Sequence, residues 1–276
     1  MRWKQFFTPV KSWTSDEAKA FMQGIAVDRY TLLDVRQPGE YESGHIPGAR
    51  LIPLPDLHER LNEIDPQKPT LVYCAVGGRS RVAAQMLAGK GFAEVVNLIG
   101  GIKAWNSEKA LGREEQGLEL FCGKESPEET LVIAYSLEAG LQEFYLATAP
   151  KVKHEAVRNL FEKLSAIEVK HQQRIYDEYI ALTASTASPE EFAREKVVPA
   201  MEGGLTTEEY MAIYRPDIDV VEEVISLAMA IEAQALDLYQ RAAQRAEKAA
   251  SRKMLSQIAN EEHSHLAQLG KLFERL

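Results

Sequence analysis

Apolar positions change their rhythm once along the chain. Up to about residue 110 they come as short runs bounded by turn residues: Thr31–Val35, Thr70–Cys74 and Val95–Leu98. Compact runs of this kind predict buried strands. Ahead of the first, Thr14-Ser15-Asp16-Glu17 is a capping box that predicts a helix to about Gln23. Pro53, Pro55 and the stretch from Leu57 to Ile64 predict a loop and a short helix. Val82, Ala83, Met86 and Leu87 predict a helix over 79–89, and Gly100-Gly101 opens a turn containing Trp105. Such alternation predicts an α/β sheet with helices on both faces.

From Pro127 onward the strand pattern almost disappears. Ser126-Pro127-Glu128-Glu129 reads as a helix start with Pro at the first helical position. Helices are predicted over 127–148, 153–183, 219–248 and 250–273. A long crossover, 184–218, carries short helices of its own, one starting at Ser188-Pro189-Glu190-Glu191. Two helical hairpins joined by one crossover predict an all-α four-helix bundle. Residues 113–126 are charged and aperiodic and read as a linker, which sets the domains at 1–112 and 127–276.

The bundle half contains a repeat. Leu137-Glu138-Ala139 with Tyr145 returns 94 positions on as Ile231-Glu232-Ala233 with Tyr239. Thirty residues after each of these Glu residues stands Glu-x-x-His: Glu168 with His171, then Glu262 with His265. Residues three apart share a helix face. Four carboxylates and two imidazoles can therefore converge at mid-bundle, where oxygen-rich ligation favours iron or manganese over structural zinc. An isolated Glu-x-x-His is ordinarily a surface ion pair; the duplication argues otherwise, because four buried acids need a neutralising ion. Tyr145 and Tyr239 are read as core packing or as donors to the ligands, and Glu261 and His263 as pointing elsewhere.

Charge sharpens the division. Residues 1–112 carry a balance of +2 and the remainder −11, out of −9 for the chain. The acidic half would repel phosphates, so no nucleic-acid partner is expected. Two cysteines, Cys74 and Cys122, build no disulfide framework and suit a reduced, cytoplasmic setting. No signal peptide and no membrane segment is expected. Trp3, Trp13 and Trp105 read as packing residues.

The other chemistry lies at Cys74-Ala75-Val76-Gly77-Gly78-Arg79-Ser80, which follows a strand and opens a helix. Loop amides and a helix N-terminus aimed at the sulfur stabilise a thiolate, or a persulfide formed on it. Gly77 and Gly78 let the backbone curl around an anion, and Arg79 adds a cation. Arg79 stands five places after Cys74, one fewer than in a phosphatase-type ring, which suits sulfur better than a tetrahedral oxyanion. Cys122 is a linker thiol, read as a bystander rather than as a sulfur acceptor or regulatory disulfide partner.

Leu33-Asp34-Val35-Arg36, Glu40-Tyr41, Gly44-His45-Ile46-Pro47-Gly48-Ala49, the Cys74 loop and Gly100-Gly101-x-x-Ala104-Trp105 together resemble a rhodanese domain over about residues 8–109. The resemblance implies a parallel-sheet sulfurtransferase domain with Cys74 as persulfide carrier. Asp34, Glu40 and His45 would be mainly structural, and Arg36 would shape the pocket entrance. The repeat resembles the ferritin-like superfamily, closest to rubrerythrin-type di-iron domains, over about 127–273. This implies two iron ions, with manganese or zinc as substitutes, held by Glu138, Glu168, His171, Glu232, Glu262 and His265 and reacting with peroxide or dioxygen. It also implies a homodimer. Two departures stand out: Ala235 occupies the place of a further carboxylate, and two cysteines cannot build a rubredoxin-like site.

The expected function is a sulfurtransferase fused to a di-iron oxidoreductase acting on peroxide, oxygen or sulfur, with donors and acceptors of the thiosulfate or persulfide class. The alternative is a non-catalytic iron-binding or redox-sensing protein, its bundle an iron store or dimerisation scaffold.

Overall fold

The three apolar runs are strands, and two shorter strands lie beside them. In the computed structural model, which describes residues 9–197 and 207–273, they are β1 (Lys11–Trp13), β2 (Thr31–Asp34), β3 (Arg50–Leu51), β4 (Thr70–Tyr73) and β5 (Val95–Leu98). Trp3 lies outside the described residues. The strands form one parallel sheet in the order β1-β5-β4-β2-β3. In register, Leu32, Leu71 and Val96 align across three strands, and so do Leu33, Val72 and Asn97. Side chains alternate along a strand, so these two rows face opposite sides of the sheet.

Each side is covered, as a parallel sheet requires. On one, α1 (Ser15–Gln23) brings Ala18 and Met22 to Leu32, Leu71, Val96 and Trp105. The helix starts where its capping box places it: Thr14 accepts from the Glu17 amide, and Glu17 accepts from the Thr14 amide at 2.8 Å. The short α2 (Pro38–Glu42) adds Tyr41 to this side. On the other, α3 (Gly78–Gly89) packs Ala83, Ala84 and Leu87 onto Leu33, Val72 and Val95. Burying each large aliphatic side chain there contributes about 1.5–3 kcal/mol. Cys74, just past the end of β4, belongs to the α3 side.

The chain divides into two units, Met1–Glu115 and Gln116–Leu276. The second is built on α4 (Pro127–Thr148), α5 (Glu155–Thr183), α6 (Pro189–Lys196), α7 (Thr207–Tyr214), α8 (Val221–Arg245) and α9 (Ala249–Phe273). Capping boxes at Ser126/Glu129 and Ser188/Glu191 open α4 and α6, each followed by Pro. α4 pairs with α5 and α8 with α9, while α4 also meets α9 and α5 meets α8, closing a four-helix bundle. Leu141, Phe144, Tyr145, Phe161, Leu164, Val224, Leu227 and Ile231 form much of its core.

Part of the segment read as a linker is tied to this bundle. Phe121 is buried edge-on to the Tyr239 ring, Arg241 donates to the Gln116 carbonyl, and the Glu247 amide donates to the Gly123 carbonyl. Among the described residues no helix is long and apolar enough to cross a membrane.

Candidate functional sites

The loop after β4 closes around sulfur. The Gly77 amide donates to Cys74 Sγ at 3.1 Å, and the Ser80 hydroxyl lies 3.5 Å from it. Gly77 adopts φ +100°, a conformation that turns the loop back and that L side chains rarely adopt. Ala75 is part-buried, Gly78 exposed at the first turn of α3, and Val76 60% exposed, so the loop tip meets solvent. Burial raises the Cys74 pKa, but hydrogen bonds from the Ser80 hydroxyl and from the Ser80, Val76 and Gly77 amides outweigh it, leaving the thiol below its ordinary value.

The loop is backed by Gly100-Gly101. Amides of Ile102 and Lys103 donate to the carbonyls of Cys74 and Ala75 at 2.8 and 3.2 Å. Gly101 has φ +58°, and a Cβ there would stand 2.2 Å from the Cys74 carbonyl oxygen. Gly101→Ala is therefore expected to destabilise the first unit by ~3 kcal/mol, combining a strained φ with a backbone clash. All three tryptophans precede residue 106, so urea unfolding followed by tryptophan fluorescence reads this unit alone.

Arg79 is held by both oxygens of Glu40, each at 2.7 Å, and also interacts with the thiol. The same contact, chiefly the Arg79 hydrogen bond, lowers the Glu40 pKa to about 2. A depressed carboxylate contributes stability above its ordinary 4.5 that is lost as pH falls toward about 2. Glu40→Gln should remove that part of the acid-induced loss, seen as a flatter dependence of the fluorescence-detected urea midpoint on pH in this window. The pair is over one-third exposed, so solvent screening keeps the effect small.

Arg36 is placed differently from expectation. It is 4% exposed, its guanidinium bound to Asp34 and to the Gly44 carbonyl, so it braces the sheet end and does not line an entrance. His45 stacks on Tyr41 with ring centroids 3.6 Å apart. Two partners of the loop were missed in the sequence: Glu40 as the anchor of Arg79, and Asn97, bonded to Ser80 at 2.6 Å. Asn97 does carry a signal, being the one polar residue of Val95-Val96-Asn97-Leu98.

In the bundle, α4, α5, α8 and α9 bring the six repeated side chains together. Ligand atoms of Glu138, Glu168 and His171 lie within 4.8 Å of one another, as do those of His171, Glu262 and His265. His171 belongs to both triads. Glu232 lies beside the second, its Oε2 3.6 Å from His265 Nδ1. The two imidazoles stack at 4.3 Å and 11°. All four carboxylates are at most 2% exposed.

One oxygen on each acid, Oε1 of Glu138, Glu168 and Glu262 and Oε2 of Glu232, is buried without a hydrogen-bond partner. Carboxylate oxygens without a hydrogen bond are costly in an apolar interior, and four on neighbouring helices suit a cation as their common partner. Burial lifts Glu168 to about 9, helped by the nearby charges of Glu138 and Glu232, and lifts Glu262 to about 7. Burial would depress the histidines, but hydrogen bonds to the acids raise His171 to about 11 and His265 to about 10. Without a metal the cluster holds protons; these residues fit a pair of metal ions.

The neighbours are unlike on the two sides. The Gln172 amide donates to Gln142 at 2.8 Å beside Glu138 and His171, whereas Leu236 and Leu266 occupy the corresponding repeat positions. Glu261 pairs with Arg174 at 2.7 Å. Tyr145 and Tyr239 are fully buried, Tyr145 against Phe144 and Phe161, Tyr239 against Phe121.

Family models agree with this division. One described as a rhodanese-like domain matches residues 14–108, and one described as rubrerythrin matches residues 129–273. "Uncharacterized protein YqhL" of Bacillus subtilis (strain 168) is 43% identical over 99 residues, covering 36% of this chain and 75% of that protein. "Thiosulfate sulfurtransferase GlpE" of Ectopseudomonas mendocina (strain ymp) is 40% identical over 88 residues, covering 30% of this chain and 81% of that one. A rhodanese-like domain protein structure from Staphylococcus aureus is 32% identical, covering 37% of this chain and 98% of that chain, with a TM-score of 0.34.

Proposed function

Since the chain belongs to the rubrerythrin family across residues 129–273 and carries a rhodanese-like domain ahead of it, we propose that it transfers sulfur through a persulfide on Cys74 and performs redox chemistry at two iron ions in its bundle. The Cys74 thiolate attacks the outer sulfur of a donor such as thiosulfate. A new S–S bond forms, the donor's S–S bond breaks, and sulfite leaves with the electron pair. An acceptor thiolate or cyanide then takes the outer sulfur, and Cys74 returns as thiolate. The Gly77 amide and Ser80 hydroxyl hold the negative charge on sulfur, and Arg79 supplies a cation beside it.

In the bundle Glu138, Glu168, Glu232, Glu262, His171 and His265 would hold the metal. Iron bound there supplies one-electron redox chemistry toward peroxide, dioxygen or a sulfur species. The chain's own part is to present oxygen donors, keep the imidazoles stacked and exclude bulk water with the apolar layers above and below. Two cysteines cannot build a four-thiolate iron site, so the electrons would need another source.

The observations that carry the reading are, in the bundle, four buried carboxylate oxygens with no hydrogen-bond partner and, in the first unit, a thiol held by an amide and a hydroxyl. Elemental analysis of freshly purified protein tests the first half, with about two irons per chain expected. A steady-state thiosulfate–cyanide assay tests the second. Ala235, standing where the family carries another carboxylate, favours a second reading in which the bundle stores or senses iron without turnover. Tight iron binding with no turnover of peroxide under any reductant would select it.

A further inference from the structure

Asn97 sits in a place where an amide is out of keeping. It aligns with Leu33 and Val72 on the α3 side of the sheet, is 5% exposed, and has Val95 as its same-face neighbour along β5. A buried amide in an apolar layer needs a partner to be tolerated. Its partner is the Ser80 hydroxyl, itself fully buried, whose Oγ donates to Asn97 Oδ1 at 2.6 Å and lies 3.5 Å from Cys74 Sγ. A hydroxyl carries one proton, so Ser80 serves the amide or the sulfur, never both at once.

We propose that Asn97 is a positioning residue for Cys74: its amide presents oxygen to Ser80 while the sulfur is a thiol, and turns to present its NH2 once the sulfur is a thiolate or persulfide, which commits the Ser80 proton to sulfur. An amide has both an acceptor and a donor end on one flat group, and a half-turn exchanges them with little change of shape. The inference rests on Cys74 being the sulfur-carrying thiol. It gives the strand residue 23 places after the cysteine a role that packing alone does not explain. The charged groups facing the thiol are Arg79 on α3 and, through it, Glu40 on α2; both remain in every variant below.

The test is the pH profile of Cys74 alkylation by iodoacetamide in the full chain, with Cys122→Ser as the common background. Alkylation reads the thiolate whether or not the protein transfers sulfur, so failure of the sulfur-transfer reading would not be mistaken for failure here. Asn97→Asp, in its ionised form, offers only acceptors and keeps the Ser80 proton; the Cys74 inflection should then move up by about one unit, the scale of one hydrogen bond to a charged group. Asn97→Leu offers no acceptor and should stay within about 0.3 unit of the parent. With Ser80→Ala added, most of the Asn97→Asp shift should vanish. An Asp shift that persists undiminished without Ser80, or no shift at all, overturns the proposal. Should Asn97→Asp not fold, the side-chain NH2 resonances of Asn97 decide the matter without any change at that position. They should move with pH at the Cys74 inflection and lie flat in Cys74→Ala; resonances that ignore Cys74 ionisation overturn it.

Discussion

Cys74→Ser protein should move sulfur from thiosulfate to cyanide at no more than about a thousandth of the parent rate, the scale on which removing a covalent nucleophile is felt. The substitution changes one atom in a buried position, so the Gly77 amide and the Ser80 hydroxyl keep a polar acceptor and the loop keeps its shape. What is lost is the reacting group. An alcohol is far less acidic than the thiol, whose pKa burial raises but the Ser80 and loop-amide hydrogen bonds bring below the ordinary value. Intact mass after thiosulfate treatment gives a second reading: the parent gains one sulfur atom and the variant gains none. The sign of the pH dependence also follows. Transfer limited by thiolate should fall as pH drops through the lowered Cys74 pKa, and Ser80→Ala should move that fall to higher pH. If Cys74→Ser still gains sulfur, the thiol assignment is wrong.

The second large effect is expected at His171, which belongs to both groups of converging ligands. His171→Ala should weaken iron binding by at least about tenfold, the lower end of what loss of even a supporting partner costs. Glu138→Gln touches one group and should leave roughly half of the metal. Elemental analysis after anaerobic iron loading measures both. Binding to the folded state also stabilises it, by about 2.7 kcal/mol at a hundredfold excess over the dissociation constant. Chelation should therefore lower the melting temperature of the parent bundle, while His171→Ala should melt at one temperature with or without iron. A variant that still loads two irons would remove the bundle cluster from consideration.

Much of this architecture was legible in residue patterns, for reasons that differ by element. The bundle helices are long, and capping boxes open α4 at Ser126 and the crossover helix α6 at Ser188, signals that are local and redundant. The six repeated acids and histidines were legible because duplication repeats their spacing, and the structure brings their side chains together on four helices. β1 and β3, of three and two residues, carry no pattern of their own; pairing with β5 and β2 alone makes them strands. Arg36 was misplaced because the carboxylate that binds it, Asp34, is two residues away on a strand end, a contact spacing does not announce. The Glu40–Arg79 pair joins residues 39 apart and is visible only once α2 and α3 are folded. Of the segment 113–126, charge suggested a tether, yet the Phe121–Tyr239 ring contact and the hydrogen bonds to the Gln116 and Gly123 carbonyls anchor it, contacts that composition averages away.

The amide pair Gln142–Gln172 stands beside Glu138 and His171, and Leu236 and Leu266 take its place in the other repeat. The repeat thus keeps the six donors while these two neighbours differ. Metal ions held there would meet unlike surroundings, since the amide pair has no counterpart at the repeat-related positions. Their reduction potentials should separate, and spectroscopy should resolve two signals where a perfect dyad would show one.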